Sequence, residues 1–270
     1  MRRLGTLLLA VSLALLAIGV KPDSAQAAAA IRLGYLDDPG SALVLLAEAG
    51  SLFKEEGLEV KTVRFDDSAA GLAALAAGKV DVGAFRVADT LKAIARGNRL
   101  RIIAGGGTDR TGSLLDEVDT SGRLEREERG IVVTSADLPG APDKETLAKL
   151  VSALIKADLL LHNHPARAWS SIPSHRPREG RYFRFDPDPD YYRLADIWKR
   201  LDLQAPGMAR SFLADHVYDE IYCDALHDLK EGEGESDPVL KKLADKAVCP
   251  PDCCPTGKKK SAPESNLPLP

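Results

Sequence analysis

Between residues 31 and 107 the chain repeats one pattern: a strand-length apolar run, a turn, then a short stretch with helical spacing. IRLGYL (31–36) leads through DDPGS into ALVLLAEAGSLFKEEG, whose apolar residues recur at helical intervals and whose end is punctuated by Gly50 and Gly57. LEVKTVRF (58–65) alternates apolar and polar residues, the mark of a half-buried strand. Asp67 or Ser68 can then cap the helix AAGLAALAAG, and KVDVGAF follows as a third strand. The helix VADTLKAIARGN closes on Gly97, and LRIIAGGG forms a fourth strand running into a glycine turn. Parallel neighbours need a crossover between them whereas antiparallel ones need only a hairpin. The alternation therefore predicts an α/β fold, an open and mostly parallel sheet with flanking helices. Ligands of such sheets sit at the carboxyl ends of the strands, here the loops 37–41, 66–69, 85–89 and 105–111.

Beyond this block the text changes. Residues 108–130 are polar and charge-rich and predict an exposed connection. GIVVTSADL resumes as a strand, and the longest helical pattern in the chain follows, with Asp143 as a cap, Leu147, Leu150, Val151, Leu154 and Ile155 on one face, and Pro165 at its end. Residues 170–190 read as a proline-rich loop, YYRLADIWKRLDL and ARSFLADHVYDEIYCDALHDLK as two helices, and DPVLKKLADKAV as a short one. Proline and lysine dominate the tail after Cys249, a composition that predicts disorder.

The first residues, MRRLGTLLLAVSLALLAIGV, pair two arginines with an apolar run and reach small residues at Ala25 and Ala27. That pattern predicts a secretory signal cleaved after Ala27, leaving no membrane anchor and a periplasmic or secreted protein. With no cysteine before Cys223, a lipid-acylation site is absent from the leader. The boundaries are then a signal at 1–27, an α/β lobe at 28–165, a helical region at 166–248 and a tail at 249–270. A net charge of −4 and 5% aromatic residues leave no clustered basic face or stacking platform for nucleic acid.

The phrases IRLGYL, AEAGSLFKEEGLEVKTVRF, AALAAGKVDVGAF and ARGNRLRIIAGG resemble the solute-binding proteins of ABC importers for nitrate, sulfonates, taurine and thiamine precursors. A second segment, from IVVTSADL to HNHPARAW, is similar to that family's return strand and long helix. The resemblance implies one lobe of a two-lobed clamp, a small-molecule ligand and an ABC permease as partner, with neither catalysis nor a cofactor. The family places a second lobe of roughly one hundred residues between the two matches, a domain-sized insertion. Here residues 108–130 stand in its place.

The strand ends offer Tyr35, Asp38, Ser41, Asp67, Ser68, Phe85 and Arg86 as ligand-binding residues. Arg86 can fork onto a carboxylate, sulfonate or phosphate, or pair with Asp67 or Asp89, while Asp37 and Asp38 suit a cation or amine. Asp81, between Val80 and Val82 at the entry of its strand, reads as structural. His162 and His164 lie two apart and so on different faces, as at a solvated helix end. On a continuous helix His216, Glu220, Cys223 and His227 form a stripe, to which Cys249, Cys253 and Cys254 could add soft ligands for zinc or copper. In an oxidising compartment disulfides are the simpler fate of the four cysteines. CPPDCC does not match the compact cysteine motif of the family's thiamine-pyrimidine branch, and no nucleophile signature such as G-x-S-x-G occurs. Two alternatives to solute capture stay open: a one-lobed scaffold or homodimer, and a Cys/His metal-handling protein.

Overall fold

The computed structural model describes residues 30–37, 41–105, 131–172, 189, 191–203, 215–233, 238 and 240–241. The predicted signal at 1–27, Asp38, the predicted connection 108–130, most of the predicted loop 170–190, and Cys249, Cys253 and Cys254 lie outside these residues. Five strands, β1 (Ile31–Leu36), β2 (Val60–Phe65), β3 (Val82–Arg86), β4 (Leu100–Gly105) and β5 (Ile131–Ala136), form one sheet in the order β2-β1-β3-β5-β4. β1 pairs in parallel with β2 and with β3, and β5 runs antiparallel between β3 and β4. The expected α/β class and mostly parallel sheet are thus the observed ones, with β5 as the reversed strand.

The first predicted helix is two: α1 (Ala42–Ala49) and α2 (Leu52–Glu55). The chain breaks at Ser51, whose φ of 60° is left-handed, and the amides of Gly50 and Ser51 close onto Leu46 and Glu48 carbonyls. α3 (Ser68–Ala76) and α4 (Val87–Ala95) connect the next strands. No loop separates β3 from α4, so the expected loop 85–89 is instead a direct strand-to-helix junction at Arg86. α5 (Lys144–Asn163) begins where the sequence places it, with the Asp143 carboxylate accepting from the Thr146 amide at 2.8 Å. Pro165 does not merely end α5; it opens α6 (Pro165–Ser171), where a missing amide costs nothing.

α7 (Tyr191–Arg200) and α8 (Asp219–Glu233) complete the described helices. α8 begins at Asp219, inside the helical reading from Ala209, because Val217 and its neighbours bond to Ile102 of β4 just before it. One apolar core runs from Leu33, Phe85 and Ile102 in the sheet through Leu150 and Leu154 of α5 to Trp198 of α7 and Tyr222 of α8. The C-terminal helices therefore share the core of the lobe.

Candidate functional site

In the order β2-β1-β3 the connection after β1 leaves toward one side and that after β3 toward the other, which opens a crevice at the carboxyl ends of β1 and β3. Register sets Tyr35 beside Ala84, and Leu36 beside Phe65. The starts of α1, α3 and α4 open on this rim, at Ser41, Asp67 and Arg86.

Each predicted residue has a definite place there. Ser41 is buried and its Oγ accepts from the Leu36 amide at 3.1 Å, tying the end of β1 to the start of α1. Asp67 is exposed and caps α3, its carboxylate accepting from the Ala70 amide at 2.8 Å. Ser68 is buried, and its Oγ accepts from the Arg86 amide at 3.4 Å, joining the start of α3 to the end of β3. Arg86 itself is exposed at the rim, and Tyr35 is half-buried. The Asp37 carboxylate meets Arg64 at 3.0 Å, so the acidic first loop is already partnered by a neighbouring strand end.

Phe85 is 0% exposed and lies under the rim rather than on it. Its ring occupies a slot made by three glycines: a methyl on Gly83 would stand 2.1 Å from it, on Gly71 2.2 Å and on Gly34 3.0 Å. Phe65 meets it edge-on with centroids 6.0 Å apart. The sequence reading missed this slot, although Gly34 and Gly83 sit side by side in register on the same face of the sheet as Phe85, a signal open to a period-two reading.

Asp81 sits at the opposite, amino end of the sheet. Its carboxylate accepts from the Arg32 backbone amide at 2.8 Å and from the Arg32 guanidinium at 3.0 and 2.5 Å. Burial opposes its ionisation, but these bonds and the Arg32 charge outweigh it and hold the carboxyl below the usual carboxylate range. Asp81 is a cross-strand clamp between β1 and β3, far from the rim.

The proposed metal stripe is broken. His216 precedes α8, where its Nδ1 lies 2.7 Å from the Leu100 carbonyl, while Glu220 pairs with Lys144. Cys223 is buried in the packing of α8, and His227 is half-buried with Asp228 at 3.9 Å. The tail cysteines lie outside the described residues, and among the described residues no group of three metal-ligating side chains gathers. The stripe fails because the backbone at 216–218 pairs with β4 and cannot also turn as a helix.

A profile of the family described as NMT1/THI5 like matches residues 38–113, which begin after β1 and include α1, α3, β3 and α4. Among solved structures, the periplasmic nitrate-binding protein NrtA from Synechocystis PCC 6803 is similar with a TM-score of 0.55 at 8% identity, over 82% of this chain and 98% of that one. The ligand-binding component of an ABC-type import system from Staphylococcus aureus, solved with zinc bound, gives 0.51 at 13%, over 73% and 98%. A Candida albicans gene product with the generic periplasmic binding protein fold gives 0.51 at 12%, over 70% and 96%. No curated protein matches. The chain has the fold of the periplasmic binding proteins. Within that class it resembles the solute-binding components of ABC importers, as its phrases between residues 31 and 107 imply.

Proposed function

We propose that the chain is an exported, non-catalytic solute-binding protein that captures a small organic anion, sulfonate or pyrimidine-like molecule at the β1/β3 crevice for an ABC importer. The observation that carries this is the convergence of three helix starts and two strand ends on one rim, with Tyr35 half-buried and Arg86 exposed there. Ser41, Asp67 and Ser68 hold the rim's shape, and Phe85 is its floor. Backbone amides at helix starts and an exposed guanidinium favour negative charge on the solute.

β4 ends at Gly105 and β5 begins at Ile131, so 25 residues separate the two strands, against the domain-sized insertion that the resemblance implies. In this reading capture relies on one lobe. A ligand that binds the folded state raises its melting temperature by mass action. A thermal-shift screen of nitrate, alkanesulfonates, taurine and aminopyrimidines on the secreted protein tests the proposal. Stabilisation that Arg86→Ala abolishes supports it; no shift at millimolar ligand with any compound refutes it and favours a scaffold built on the same lobe.

A further inference from the structure

β4 stands last in the order of the sheet, yet its Leu100, Ile102 and Ile103 are fully buried. Much of what closes over them comes from the far end of the chain. The Ile102 amide donates to the His216 carbonyl at 2.7 Å, and the Tyr218 amide donates to the Ile102 carbonyl at 2.8 Å, making Val217 a parallel partner of Ile102. His216 Nδ1 lies 2.7 Å from the Leu100 carbonyl. The Arg101 guanidinium lies 4.2 Å and the Lys144 ammonium 5.6 Å from the centre of the Tyr218 ring, so this segment is fixed to β4 and to the start of α5 at once. α8 then packs on both β4 and α5, with Ile221, Tyr222, Ala225, Leu226 and Leu229 buried and Ser152 Oγ donating to the Ala225 carbonyl at 3.1 Å. Separately, α7 packs on α4 with Leu194, Ile197 and Trp198 buried.

Each of these contacts closes a long loop. Leu100 and His216 are 116 residues apart in the chain, Lys144 and Glu220 76, and Ser152 and Ala225 73. Chain entropy is lost in closing such loops before their contacts compensate for it, so pairings of this kind form late and together. The net stability of a folded domain is a small remainder of large opposing terms. A lobe without this cover has the β4 edge unpaired and apolar faces of β4, α4 and α5 open to water, a loss of burial that falls on the same core as the rest of the sheet.

We propose that α7, residues 216–218 and α8 together are a folding trigger: the strands and α5, all earlier in the chain, reach no stable fold until this C-terminal part is available, and its docking on β4, α4 and α5 completes the whole lobe in one step. Domains that fold as they are made do so from their amino ends. Here the last-made elements hold the first-made ones in place, and folding waits for them. In a chain with a predicted secretory signal, that delay keeps the polypeptide an open thread until its synthesis is nearly complete. The trigger is independent of the solute reading, since it concerns the packing of the core and not the crevice.

Two measurements on the full-length chain test it. Pulsed-labelling hydrogen exchange during refolding reads when the amides of β1 and β3 become protected. Ile221→Ala, in α8, is expected to slow that protection about fivefold or more, because the docking of α8 is part of the transition state. If β1 and β3 are protected at the rate of the intact chain and only unfolding quickens, the lobe folds first by itself and the trigger is overturned. Should Ile221→Ala not fold, Ile221→Val decides the matter: slower protection of β1 and β3 supports the trigger, and an unchanged rate with faster unfolding refutes it. Limited proteolysis during synchronised synthesis in vitro is the second measurement. Resistance of the lobe that appears only with the completed chain supports the trigger, and a resistant fragment that ends before Tyr191 overturns it.

Discussion

At the residue scale the crevice is shaped by the absence of side chains as much as by their presence. Phe85 lies flat because Gly34, Gly71 and Gly83 yield space that any Cβ would take, two of them at distances near 2 Å. Neither strand nor helix can move away from a ring already enclosed by the core, so overpacking is not relieved locally. Gly83→Ala is expected to destabilise the protein by about 1–3 kcal/mol in urea unfolding. Combining it with Phe85→Leu should recover part of that loss, because the two residues compete for one volume. Two independent, additive losses would show that the slot is not the cause. Asp81 invites a second prediction. The carboxylate is 16% exposed and Arg32 43%, which places the pair between a surface and a buried ion pair. Asp81→Asn should cost about 1–2 kcal/mol at neutral pH. Its folded pKa is depressed, so the stabilisation is full above the unfolded value near ~3.9 and is lost as pH falls through the lower folded value. The wild-type advantage over Asp81→Asn should therefore shrink below about pH 4 in acid titrations of stability.

At the scale of elements, caps and stops were the most legible features. Asp67 and Asp143 cap α3 and α5 as their positions imply, each binding the amide three residues on. Asp143→Ala should lower stability by about 1 kcal/mol, read as a shift in urea midpoint at unchanged slope. Gly78, in the left-handed region with φ of 65°, lets α3 stop at Ala76 and β3 begin at Val82, with five residues between. Gly78→Ala should cost a similar ~1 kcal/mol, whereas Ala77→Gly, where φ is ordinary, should act only through helix propensity. Boundaries set by competition were not legible. The break at Ser51, one residue after the Gly50 that punctuates the pattern, arises where Phe53 turns into the core, and the start of α8 at Asp219 arises where β4 claims the preceding backbone. Periodicity describes one element at a time and carries no information about a competing partner more than a hundred residues away.

At the scale of the whole molecule, lobe and C-terminal helices are one unit. Trp198 and Tyr222 are buried in the same core as Ile102 and Leu150, Asp137 after β5 pairs with Arg99 and Arg101 at β4, and Lys144 of α5 pairs with Glu220 of α8. Unfolding followed by tryptophan fluorescence, which reports Trp169 and Trp198, should coincide with that followed by far-ultraviolet circular dichroism. An earlier fluorescence transition would mean that the C-terminal helices are a separate domain. The sequence by itself determined the α/β class, the strands and the Asp143 cap, because these follow from local period, turn chemistry and a chain order that demands crossovers, and it narrowed the cap of α3 to Asp67 or Ser68. Only the tertiary structure decided that Phe85 is buried beneath the rim, that Asp81 belongs to Arg32, and that His216 meets the Leu100 carbonyl of β4. Those outcomes depend on which distant backbone groups and empty volumes meet, and such meetings exist only once the sheet has assembled.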